Sequence, residues 1–354
     1  MVVEDIFLAT GLIEESDLFQ NGLHQNSLTL YTLLEGLGYR CHCLVEKPGA
    51  FVPGYRFLEP ETYLRTMDTY RVKVYIEIGL TLDLSFRRLL QSRGTRTVKL
   101  YLGNVLNIDT ETVLMTPGLH FTHHIAGSLS EIWTSPHYSM NRPYLLGLNG
   151  LRWGQGRLVP YVWDPKWIQG LKPWTPPPLW TQTDIVIMEP NISFQKSSLY
   201  PILLVKAFAK GYPEWKGRLI VQNSERLFMS KWFREQIVPS LSFPVVWKGR
   251  SPLATILQEN PSAAFVSHQV TNDYNYLILE LMYLGYPVLH NSVKWAPYGY
   301  SWSVDDWTIS QRTLRTVLEH HSQNTKYAQQ TEALIWNQSP KNPVNRLGWM
   351  ALLN

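Results

Sequence analysis

The chain has 354 residues, 45% hydrophobic and 17% charged, which is enough apolar material for two cores of ordinary domain size. Its 32 basic and 28 acidic residues leave a net charge of +4 dispersed along the sequence, which excludes a nucleic-acid track built on a basic tail or arm. No run of about 18 apolar residues occurs, and the start Val3-Glu-Asp5 lacks the charged-then-apolar layout of a signal peptide, so the expectation is a soluble cytoplasmic protein without a transmembrane segment.

Ile6 to Thr10 is an apolar run that stops at Gly11. The polar stretch Gln20-Asn-Gly-Leu-His-Gln-Asn26 reads as a loop, and Leu28 to Leu37 has helical spacing. Gly38-Tyr39 ends that helix and Arg40 to Val45 is a second strand, completing a β-α-β unit. Cys41 and Cys43 alternate on this strand with one residue between them, an arrangement that disfavours a disulfide. Val72 to Ile78 predicts a strand, Leu82 to Ser92 a helix and Thr97 to Leu102 another strand. Short strands follow at Glu131 to His137 and Arg157 to Trp163. Strands alternating with helices predict a doubly wound parallel sheet.

Residues 171 to 184 hold four prolines and little periodicity, the composition of a stiff linker. The domains are therefore read as 1–168, a linker over 169–183, a second domain over 184–325, and a tail over 326–354 that packs back on the first. The second half repeats the alternation: strands at Asp184 to Met188, Arg218 to Gln222 and Val245 to Trp247, and helices at Ser198 to Lys210, Met229 to Ile237 and Pro252 to Gln258. The tail from roughly Ser310 to Ala333 reads as helical. Between them, Ala263 to Val266 is a short strand, Ser267 to Asp273 is polar, Asn275 is a good N-cap, and about ten helix-forming residues run to Gly285. Val288-Leu289 opens the next strand. A helix N-terminus thus faces a sheet's carboxyl edge, where unpaired N–H groups and the helix dipole bind anions and nucleotides.

Two αβ domains, a proline linker and a late strand-loop-Glu-helix-Gly-x-Pro unit together resemble the GT-B glycosyltransferases. The resemblance implies an α/β fold of two Rossmann-like doubly wound domains facing across a cleft. It also implies that Glu280 grips the ribose of a nucleotide-sugar, with Gly285-Tyr-Pro287 as the following turn. Retaining members carry a second Glu eight positions upstream, where this chain has Asn272. Glu189-Pro-Asn-Ile-Ser193, Ser267-His-Gln269, Asn275-Tyr276 and Gly285-Tyr-Pro-Val-Leu-His-Asn291 resemble a glycosyltransferase-like family of bacterial and viral proteins with that fold.

Transfer of a sugar from a nucleoside diphosphate needs the leaving charge neutralised by a metal or by cations and helix-terminal N–H groups. Asp-x-Asp, the usual metal-binding pattern, is missing, and Asp305-Asp306 lack its spacing. Without a metal or other cofactor, Lys196, Lys248 and Arg250 fall where strand-end loops of the second domain should be. Gly249 allows close backbone approach there. Glu280 sits among Leu277, Ile278, Leu279, Leu281 and Met282, where a carboxylate needs a partner. His268 is a candidate catalytic residue. Gln269, Asn272, Asn275 and Tyr276 complete the donor side, with helix capping the ordinary role of Asn275 and a structural anchor that of Glu189. For the acceptor side and its general base, the candidates are His24 in the Asn21-Gly22 loop and His120, His123 or His124. Adjacent His123 and His124 point in different directions, and no carboxylate or Cys cluster accompanies them as a metal site.

The expected function is transfer of a hexose or related sugar from a nucleotide-sugar, UDP foremost, to a hydroxyl of a glycan or glycoprotein. The alternatives are a catalytically silent glycan-binding protein and a sugar-nucleotide epimerase or phosphorylase of the same fold.

Overall fold

A computed structural model describes residues 3–11, 13, 18, 22–46, 52–115, 124–273 and 275–354. Asn21, His120 and His123 lie outside the described residues. The chain divides into two compact units, Met1–Trp167 with Trp336–Asn354, and Ile168–Ile335.

The strands of the first unit are β1 (Asp5–Ala9), β2 (Arg40–Leu44), β3 (Phe57–Leu58), β4 (Val72–Glu77), β5 (Arg96–Tyr101), β6 (Glu131–Thr134) and β7 (Gly156–Leu158). They form one parallel sheet in the order β3-β2-β1-β4-β5-β6-β7. Its helices are α1 (Gly22–Gly36), α2 (Pro60–Thr66), α3 (Leu84–Ser92), α4 (Val105–Met115) and α5 (Arg142–Leu148). The pleat of β1 divides its side chains between two cores. Ile6 and Leu8 pack with α1, whereas Phe7 and Ala9 pack on the opposite face with Tyr63 and Phe86. Cys41 and Cys43 share the core of Ile6 and Leu8, and both are free.

The second unit runs β8 (Ile185–Ile187), α6 (Leu199–Gly211), β9 (Leu219–Val221), α7 (Glu225–Met229), β10 (Val245–Trp247), α8 (Leu253–Glu259), β11 (Ala264–Ser267), α9 (Tyr276–Tyr283), β12 (Val288–His290), β13 (Tyr300–Ser301) and α10 (Trp307–His320). Its parallel sheet has the order β10-β9-β8-β11-β12-β13. Then α11 (Thr325–Gln338) carries the chain back into the first unit, where α12 (Pro343–Leu353) ends it. Each sheet reverses its strand order beside its first strand, between β1 and β4 and between β8 and β11. Both units are therefore doubly wound, and each has one switch point at its carboxyl edge.

Three elements depart from the sequence reading. First, α1 begins at Gly22, so Gly22 and His24 belong to a helix and not to a loop. The polar run is helical because its side chains find buried partners: Gln25 Nε2 donates to Leu18 O at 3.0 Å and Asn26 Nδ2 to Val162 O at 3.3 Å. Second, β7 ends at Leu158, since Pro160 has no N–H to continue the ladder. Third, the helix expected over Met229 to Ile237 begins only after Ser230 and runs to Ile237 with a π-helical turn over Phe233–Ile237, the Ser230 hydroxyl accepting from the Phe233 amide at 3.2 Å. The tail read as helical over Ser310 to Ala333 is helical, as α10 and α11 with a turn between them. The turn between them is held by Tyr300, whose hydroxyl meets His321 Nδ1 at 2.8 Å and accepts from Asn324 Nδ2 at 3.0 Å.

Candidate functional site

The switch point of the second unit is built by α9 and the strand ends around it. Asn275 caps α9, its Oδ1 accepting from the Leu277 amide at 3.2 Å. At the other end Gly285 adopts φ +79°, and the Gly285 and Tyr286 amides donate back to Met282 O and Leu281 O, each at 2.9 Å. That pairing terminates the helix, and Pro287 prevents its resumption. Because α9 follows β11 in the chain, its N-terminus lies on the carboxyl side of that strand.

Glu189, two residues beyond β8, braces β8 and β11. Its Oε1 accepts from Ser267 Oγ at 2.7 Å and from the His268 amide at 2.8 Å, with Gln269 Nε2 at 3.4 Å from Oε2. Asn275 Nδ2 reaches Ser267 Oγ at 3.4 Å. Gln269 is tied to the end of β12, its amide donating to Asn291 Oδ1 at 2.6 Å while Asn291 Nδ2 donates to Gln269 O at 2.9 Å. Burial pushes the Glu189 carboxyl above its ordinary value, and the hydrogen bonds and the charge of Lys196 pull it back only in part. For half-buried Lys196 the same desolvation lowers the ammonium pKa, opposed by Glu189.

His268 stacks on Tyr200 at 4.8 Å and lies 5.9 Å from Trp302. The ring is 2% exposed, and burial pushes its pKa down to about 4, so it is neutral at pH 7. Its Nδ1 is buried without a hydrogen-bond partner, as are Gln269 Oε1, Gln195 Oε1 and Ser198 Oγ. The backbone links these residues: the Val270 amide donates to Gln195 O at 2.9 Å, and Ser198 directly precedes α6. Buried polar atoms left unpaired are costly, so such a group marks a place where a polar ligand or ordered water belongs.

The other donor-side residues are spread along the same edge. Asn272 and Tyr276 are half-buried on either side of the Asn275 cap, and Glu280 is buried on the second turn of α9. Lys248 and Arg250 follow β10, two strands away from β8. Lys248 pairs with Glu259, and Arg250 is exposed. The structure thus gathers Glu189, Lys196, His268, Gln269 and Asn275, and leaves Lys248 and Arg250 apart. Ser267 and Asn291 lay within the motifs read from the sequence without a role, and their hydroxyl and amide complete the brace. Tyr200 and Trp302 carried no local signal, because their contact with His268 is purely tertiary.

In the first unit, His24 lies in the first turn of α1, half-buried. His124 is buried, and its Nδ1 meets Asp109 Oδ1 of α4 at 2.5 Å. The other Asp109 oxygen accepts from Tyr144 Oη of α5 at 2.7 Å, and Tyr101 Oη donates to His124 O at 2.6 Å. A carboxylate held from both sides fixes the imidazole tautomer with Nδ1–H toward Asp109. At the end of β4, Glu77 is fully buried between two cations, Arg87 at 2.8 Å and Lys99 at 3.2 Å. Among the described residues, no group of three or more His, Cys, Asp and Glu is placed to hold a metal ion, and no helix is long and apolar enough to cross a membrane.

The chain belongs to the family described as Protein of unknown function (DUF2827), whose profile matches residues 6–353. Among curated proteins none matches the sequence. In fold the chain is similar to a glycosyltransferase from Rickettsia africae, at 10% identity and a TM-score of 0.60 over 100% of this chain and 98% of that one. It is similar to Anabaena HepE in complex with UDP and glucose, at 12% identity and a TM-score of 0.61 over 99% of both chains. A third is the sucrose-phosphate synthase of Thermosynechococcus elongatus, at 13% identity and 0.55 over 99% of this chain and 95% of that one. Two doubly wound parallel sheets matched along the whole length give this protein the GT-B fold.

Proposed function

We propose that this family member is a glycosyltransferase that moves a sugar from a nucleotide-sugar, UDP foremost, to a hydroxyl of a glycan or glycoprotein without a metal. The observation that carries this reading is the group of buried, unpaired polar atoms at the carboxyl edge of the second unit, beside the capped N-terminus of α9 and Lys196. Anabaena HepE, with the same fold, binds UDP and glucose, which supports a nucleotide-sugar as the ligand here.

In this reading the amides of α9 and the Lys196 ammonium take the diphosphate charge. Glu280 receives the ribose hydroxyls. Neutral His268 and Gln269 offer acceptors to the hydroxyls of the sugar. The acceptor oxygen bonds to the anomeric carbon, the bond from that carbon to the phosphate oxygen breaks with its electron pair on the diphosphate, and the hydroxyl proton passes to a base.

The test is a thermal-shift and hydrolysis panel of UDP-, GDP- and dTDP-sugars. At a hundredfold excess over Kd a ligand of the native state adds about 2.7 kcal/mol of stability. One nucleotide class should raise the melting temperature and be turned over. A panel in which none shifts the transition and none is hydrolysed refutes the reading.

A further inference from the structure

The C-terminal helix α12 has the composition of a buried helix and lies on the surface. One of its faces packs into the first unit through Asn345, Trp349 and Leu353, with Trp349 Nε1 donating to Pro160 O at 3.0 Å. The opposite face carries Val344, Leu347, Met350 and Ala351, spaced i, i+3, i+6 and i+7, and no charge. Val344 is 74% exposed, Leu347 58% and Met350 41%. A soluble helix normally turns charged side chains outward, so an apolar outer stripe marks a contact surface.

The charge on the segment that carries the stripe has one sign. The segment Trp336–Asn354 holds Lys341, Arg346 and neither Asp nor Glu. Exposed Lys341 precedes the helix, and Arg346 donates to Gly36 O at 2.6 Å on its flank. Arg157, its side chain 55% exposed, lines the cavity beside Ala351 and Leu352. Glu131, 15% exposed, pairs with Arg157 at 3.8 Å and accepts from the Trp133 indole N–H at 2.9 Å, and Glu35, beside Gly36 and 31% exposed, pairs with Arg56 at 2.6 Å. Exposed Leu158 on the edge strand β7 lines the same cavity.

We propose that this face docks on an anionic lipid surface, with the apolar stripe entering the headgroup boundary and Lys341, Arg346 and Arg157 meeting lipid phosphates. A second copy of the chain fits poorly. In a two-fold contact the patch meets itself, which sets cations against cations while the nearby acids Glu35 and Glu131 are already paired with Arg56 and Arg157. The stripe is also a single helix face, well short of the roughly 800 Å² per partner that a stable dimer buries. An anionic bilayer supplies both an apolar layer and the complementary charge.

Co-sedimentation of the full chain with phosphatidylglycerol-containing vesicles and with pure phosphatidylcholine vesicles tests this. Binding to the anionic vesicles should exceed that to the neutral ones and fall at high salt. Leu347→Asp should weaken it roughly tenfold or more at an unchanged melting temperature, because the side chain faces away from the core. Lys341→Glu, which leaves the helix intact, should weaken it about fivefold or more. Equal partitioning to both vesicle types, binding unaffected by both variants, or no binding overturns the proposal. So does a dimer in light scattering that Leu347→Asp dissociates, which would make the face an interface between copies.

Discussion

Holding His268 neutral makes the second unit sensitive to acid, by an amount that follows from its burial. The ring is 2% exposed, stacked on Tyr200, and its pKa is pushed down to about 4 from an ordinary value of 6.5. As pH falls, the unfolded chain takes up a proton near 6.5 while the folded one does not. The contribution of the neutral ring is therefore complete above about 6.5 and is lost progressively down to about 4. At about 1.36 kcal/mol per pH unit, that span corresponds to about 3 kcal/mol. For a unit of this size it amounts to roughly 6–12 °C of melting temperature. His290 and His321, also buried with lowered pKa, add to the loss in the wild type, so the informative quantity is a difference. Thermal or urea unfolding of the wild type and of His268→Gln should be compared at pH 7, 6, 5 and 4. The variant loses the stacking at every pH and should shed about 3 kcal/mol less between pH 7 and 4. Parallel stability curves for the two proteins would refute the reasoning.

Glu189→Ala should destabilise the second unit by about 3 kcal/mol in urea titrations, since it strands the Ser267 hydroxyl and the His268 amide in the interior. Glu189→Gln keeps an acceptor and should cost clearly less, and equal losses would mean that volume and not hydrogen bonding is at stake. Lys196→Met should lower donor affinity about tenfold or more by calorimetry, and unchanged affinity would remove Lys196 from the donor side. Gly285→Ala should cost about 1 kcal/mol or more. Its added Cβ would come no closer than 4.0 Å to Trp174 Cβ, so this cost is one of backbone conformation at φ +79°. A neutral result would show that the turn relaxes.

The parallel alternation of strand and helix was legible because its signals are local. Apolar runs, the Asn275 cap and the Gly285-Tyr-Pro287 stop each act within a few residues. Where local reading failed, distant partners had decided the outcome. The polar run after Gly22 becomes helical only because Val162 and Leu18 receive its amides. The site residues divide in the same way. His268, Gln269 and Asn275 were visible as a cluster in sequence, but what Glu189 does depends on Ser267, 78 residues away. His124 was one histidine among several until α4 set Asp109 against it.

By itself, then, the amino-acid sequence determined two αβ halves, the helix whose N-terminus faces the second sheet's edge, and the residue types available there. Only the tertiary structure decided which of those residues meet, that His268 stays neutral, and that α12 turns an uncharged face outward. The physical reason is range. Capping, periodicity and backbone preference act over one turn of chain, whereas desolvation and the partnering of buried charge depend on what the rest of the fold brings alongside.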